Sequence, residues 1–214
     1  MSDFSAGLFT LSQYKEEVYP FLLEDELLIQ YNEKWIGKLS SGDLSTDYPP
    51  KTMELIKKLP FLHIMNGEDH NFFMRVLHEG EVKCQFDLPY DIEGHLYGRI
   101  AYEIYGENCW DIIMNSLDKS EHVVKETTKY MKENKILETV FSKACSNLDM
   151  KIFSLFNIND EMLDKIKLIL TPDNYIQDRH SMIYDFLDCL GLDGFSFVSL
   201  DYLSYGDDDR FVLL

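Results

Sequence analysis

Two runs of three consecutive carboxylates stand out as residues able to do chemistry: Glu24, Asp25 and Glu26 within "LEDEL", and Asp207, Asp208 and Asp209 within "LDYLSYGDDDRFVLL". The second run invites a calcium reading. An EF-hand loop, however, requires oxygen ligands at alternating positions, a central glycine and a glutamate at about the twelfth position. Counting from Asp201 or Asp207 reaches no such glutamate. The run therefore reads as the tip of a hairpin, with Gly206 supplying the turn and Arg210 balancing a neighbouring aspartate.

Neither GxxxxGK[ST] nor GxGxxG occurs, and the glycines of "YGRIAYEIYGENCW", Gly98 and Gly106, lie too far apart to cradle a phosphate. No GxSxG nucleophile elbow occurs. Cys84, Cys109, Cys145 and Cys189 form no CxxC pair, which points to reduced thiols and no zinc site. Cys84 reads as a small apolar residue on the inner face of a strand. The histidines, at 63, 70, 78, 95, 122 and 180, include no HExxH and no HxH. A dispersed or metal-assisted hydrolytic site is most readily assembled at 68–81, where His70 and His78 stand beside Glu68, Asp69, Glu79 and Glu81. Lys125, Lys129 and Lys132 share a helical face, but interleaved glutamates make it an ordinary solvated one. No cofactor and no bound metal is indicated.

Charge is the compositional outlier. Against 20 Lys and Arg stand 38 Asp and Glu, a net −18 over 214 residues. Residues 1–112 carry 9 basic and 20 acidic groups and residues 152–214 carry 4 and 12, whereas 113–151 carry 7 and 6. Such a field repels nucleic acids and anionic membranes and attracts cationic surfaces. With 45% hydrophobic residues the chain is expected to bury a core all the same. It shows neither a secretory leader nor a run of the ~20 apolar residues a membrane span needs, so a cytoplasmic protein is expected.

The elements that would position these residues follow from periodicity. "LSQYKEEVYPFLLEDELLIQYNEKWIGKL" has helical spacing at Phe21, Leu22, Leu27, Leu28, Tyr31 and Trp35, with Ser12 as cap and Pro20 dividing two helices. "KTMELIKKL" is a short helix. "NFFMRVLH" and the alternating "VKCQFDLP" form a hairpin, with "FLHIM" as a third strand. From about Asn108 helices return, capped at Ser120, at Asn159 or Asp160, and at Thr171 with Pro172 in the first turn. The last of them ends at Gly191. "FSFVSLDYL" and "RFVLL" read as closing strands.

The expected fold is α+β, predominantly helical, with a small antiparallel sheet. That sheet combines a central meander at about 60–88 with a C-terminal hairpin at about 195–214. One domain, 1–214, is expected, with a possible subdomain division near 91–108. The expected function is a non-enzymatic acidic binding or inhibitor protein that occludes a cationic surface, such as a nuclease's nucleic-acid cleft, in the manner of immunity proteins as a class. The contacting residues would be Glu24, Asp25, Glu26, Asp201, Tyr205, Asp207, Asp208 and Asp209, with carboxylates for encounter and aromatics for retention. The alternatives are the hydrolytic site at 68–81 and a regulatory or self-associating scaffold.

Overall fold

A computed structural model describes residues 4–40, 47–67, 70–196, 198–200, 203 and 212–214. The class is α+β, but the sheet is far from small. Seven antiparallel strands lie in the order β6-β5-β4-β1-β3-β2-β7. They are β1 (Phe4–Leu11), β2 (Leu27–Gln30), β3 (Trp35–Leu39), β4 (Phe61–Gly67), β5 (Asn71–His78), β6 (Glu81–Pro89) and β7 (Val212–Leu213).

The meander β4-β5-β6 forms as its alternation predicts. Glu79 and Gly80, both at positive φ, make the tight turn between β5 and β6. The N-terminal third is the correction. In place of two helices, Ser12–Phe21 holds only one short helical passage, in which α1 (Lys15–Val18) is flanked by 3-10 turns. The apolar residues beyond it build β2 and β3. β3 is buried at all five positions, so neither face shows the polar alternation that marks a strand. Asn32 closes the β2–β3 turn, its Oδ1 accepting from the backbone N–H groups of Lys34 and Trp35, both at 2.9 Å. β1, a central strand flanked by β3 and β4, had no counterpart among the expected elements.

The expected C-terminal hairpin is also corrected. Phe195, Ser196 and Val198–Leu200 are not strand. Val198 instead fastens to the margin of β1, its carbonyl accepting from Ala6 N–H at 2.7 Å. Among the described residues of this region only Val212–Leu213 pairs, beside Ile29 and Gln30, on the far edge from the meander. Asp201, Tyr205 and Asp207–Asp209 lie outside the described residues.

Helices cover both faces. α2 (Pro50–Ile56) and the α1 region pack on Leu8, Leu28, Ile36, Phe61 and Leu77. The opposite face, with Phe9, Trp35, Ile64, Phe72 and Phe86, carries the larger core, covered by α6 (Ile136–Cys145), a 3-10 passage at Met150–Phe156, α7 (Asp160–Ile169), α8 (Pro172–Gln177) and α9 (Arg179–Leu190). The single helix expected from Thr171 to Gly191 breaks at Asp178, whose extended backbone lets its carboxylate cap α9 through Ser181 N–H. Thr171, Asn159 and Gly191 act as the caps expected of them.

α3 (Ile92–Tyr105), α4 (Cys109–Met114) and α5 (Leu117–Glu133) share a smaller cluster around Ile100, Ile113 and Val123. α5 starts a turn before the expected Ser120, with Ser116 at its N-cap. Among the described residues no helix is long and apolar enough to cross a membrane.

The β2–β3 hairpin is tied to the end of α9. Trp35 Nε1 donates to Leu190 O at 2.9 Å, Asn32 Nδ2 to Gly191 O at 2.8 Å, and Tyr31 OH to Asp193 O at 2.7 Å.

Candidate functional site

The two ends of the sheet order present different surfaces. At one end β6 has, among the described residues, a neighbour on one side only. Along its free edge runs an open cleft of about 1140 Å³, walled by β6 itself, by α6 and by His95 of α3. Residues pointing to both faces of β6, buried Cys84 and half-buried Gln85, line it together. The cleft therefore follows the strand's edge and not a face of the sheet.

Its walls combine apolar and polar groups. Val140 and Ala144 of α6 face exposed Val82, while Lys143, His70 and His95 supply donors. Asp87 accepts from Asn71 Nδ2 at 3.1 Å. Lys83 Nζ is held 2.8 Å from Glu79 and 2.9 Å from Glu81, which raises its pKa and depresses that of Glu79. The exit of β6 is pinned. Tyr175 OH donates to Pro89 O at 2.6 Å, and Arg179 donates to Tyr90 O while pairing with Glu93.

Thiol chemistry is not poised here. Burial raises the pKa of Cys84, and burial with Cys84 nearby pushes Cys145 to about 12, whereas a nucleophilic thiol needs the opposite shift. The histidines disperse. His70 and His78 flank the length of β5, roughly 25 Å at strand rise, and cannot share one ion. His63 is buried against Tyr48, Nδ1 to OH 2.7 Å, and His180 stacks on Tyr90 at 4.3 Å. Among the described residues no three His, Cys, Asp or Glu side chains are grouped to hold a metal. Glu68 and Asp69 lie outside them.

At the other end of the order, β2 is followed only by the two-residue β7. The turn entering β2 contains the first carboxylate run, and the structure divides it. Glu24 and Asp25 are exposed, but Glu26 turns inward. Its carboxylate forms an ion pair with Lys38 of β3, both side chains 2% exposed, and accepts from Leu23 N–H at 2.8 Å. Glu26 is thus a brace for the turn and offers nothing to a partner. Glu16, Glu17 and Tyr19, all exposed, precede it on the α1 passage. None of Glu16, Glu17, Glu24 and Asp25 is ion-paired among the described residues.

Known proteins give no lead. No family model matches the chain, and no curated protein or solved structure is significantly similar to it.

Sequence reasoning missed the β6 cleft, since its walls come from segments some sixty residues apart. The alternation of β6 gave no signal of it, since it places Val82 on the apolar face with Cys84, Phe86 and Leu88, whereas Val82 is exposed.

Proposed function

We propose that this protein is a non-enzymatic binding protein whose acidic surface engages and occludes a cationic protein surface. The observation that carries this reading is a set of four exposed carboxylates, Glu16, Glu17, Glu24 and Asp25, none ion-paired among the described residues, with exposed Tyr19 between them in sequence, in a chain of net charge −18. The buried Glu26–Lys38 pair sets the turn that presents two of them. Unpaired carboxylates speed encounter with a basic surface, and an exposed tyrosine supplies contact area at small entropic cost. A surface that itself binds phosphates, such as the cleft of a nuclease, has the complementary chemistry, and covering it would inhibit that partner.

Capture of partners from host lysate on the immobilised protein, at low and at high salt, tests this. A basic protein retained at low salt and released at high salt is expected, with retention lost in a Glu16→Gln, Glu17→Gln, Glu24→Gln, Asp25→Asn variant. Retention unchanged in that variant defeats the reading for this edge. Neutralising Asp207, Asp208 and Asp209 to Asn separately measures what the C-terminal run adds.

A further inference from the structure

We infer that the β6 cleft binds an extended acidic peptide segment, which adds to the sheet as an eighth strand antiparallel or parallel to β6. Three observations converge on this occupant.

The first is the backbone. β6 is nine residues long and ends the sheet order, so alternate N–H and C=O groups point away from β5 into the cleft. A bulge opposite Val76 and Leu77 disturbs one end and Pro89 closes the other. The regular edge between them, Cys84–Leu88, is where a strand can pair. The second is size. An extended residue between a strand and a packed helix occupies roughly 160 Å³, taking 4.8 Å strand spacing, 10 Å layer depth and 3.4 Å rise. A cleft of about 1140 Å³ then takes roughly seven residues, enough to span that regular edge.

The third is the chemistry of the walls, which selects among peptides. Alternate side chains of an added strand would face α6, where Val140 and Ala144 offer apolar contact and Lys143 a cation in no ion pair among the described residues. His70 and His95 stand as further donors, and Asp87, already bound to Asn71, is the one carboxylate among the described lining residues. In a chain of net charge −18 this stretch gathers several donors around one carboxylate among the described lining residues. Main-chain bonding would supply affinity, and the α6 wall would supply side-chain preference.

The experiment uses a fluorescein-labelled heptapeptide alternating valine and glutamate, followed by anisotropy. Binding is expected. N-methylation of one alternate set of its amides should weaken binding at least tenfold, while methylation of the other set is tolerated. Lysine in place of glutamate should also weaken it at least tenfold, and the exposed substitution Lys143→Glu on the protein severalfold, with amide exchange slowed in 84–88 on binding. Absence of binding overturns the proposal. So does binding indifferent to both methylation sets, which would mark a side-chain contact without strand addition, or binding that Lys143→Glu leaves unchanged. Because this edge is remote in the strand order from Glu24 and Asp25, failure here leaves the acidic-surface reading intact, and the converse holds.

Discussion

The sheet's two edges solve the same problem in opposite ways. An edge strand exposes unpaired backbone groups that recruit other strands, and short edge strands or charges suppress this. At the β2 side the chain uses the second device, a turn with exposed carboxylates at Glu24 and Asp25. At the β6 side a bulge and Pro89 close the two ends, and Cys84–Leu88 is left open beneath a helical wall. The two edges therefore present different surfaces, exposed carboxylates at one and an open, partly apolar strand at the other.

The largest effect expected from breaking this contrast lies beneath the acidic edge. Lys38→Met leaves Glu26 buried without its cation and should lower stability by about 3–5 kcal/mol. Adding Glu26→Leu should recover most of that loss in urea unfolding. A single variant as stable as the parent would mean that the turn is not held by the pair. On the opposite side, Tyr175→Phe removes the hydroxyl bonded to Pro89 O and should cost about 1–3 kcal/mol, with faster amide exchange at the end of β6.

The four-fold neutralisation of Glu16, Glu17, Glu24 and Asp25 should leave stability within about 0.5 kcal/mol. It should slow association with a basic partner about tenfold at low salt, a difference that fades as salt rises. An equal slowing at all salt concentrations would remove steering as the explanation.

The smallest expected effect is at Glu93. Hydrogen bonding to Arg179 holds its carboxyl below the ordinary carboxylate value of 4.5. The pair therefore contributes fully above that unfolded value and is lost as pH falls through the lowered folded one. Glu93→Gln should cost about 0.5–1 kcal/mol at neutral pH, since the glutamate is half exposed, and the deficit should vanish in acid. A deficit that persists at low pH would assign the cost to packing and not to charge.

How much of this was legible in the sequence depended on whether each element kept one wet face. β4, β5 and β6 were read correctly because alternation survives in β6 and the Glu79–Gly80 turn is local. β3 was misread because burial on both faces erases alternation, and the apolar spacing from Leu27 to Trp35 imitates a helix. α3 escaped notice because Gly94 and Gly98 weaken its pattern. Gly94 has a local reason to be there, since a Cβ would collide with the carboxylate of Asp91, which caps the helix. The α8–α9 break was hidden because the caps at Thr171 and Gly191 are both genuine, with Asp178 turning between them. In the acidic run, nothing local separates Glu26 from Glu24 and Asp25. Its partner Lys38 becomes a neighbour only once β2 pairs with β3 in the register Leu28 opposite Lys38.

The bonds from Tyr31, Asn32 and Trp35 to residues 190–193 also set an order of events during synthesis. Their sequence separations are 162, 159 and 155 residues. At typical elongation rates of 5–20 residues per second, the β2–β3 hairpin waits roughly 8–30 s for the carbonyls that receive its donors. Through that interval a tryptophan destined for complete burial has no lid, so the hairpin stays apolar and uncovered until the end of α9 has been made.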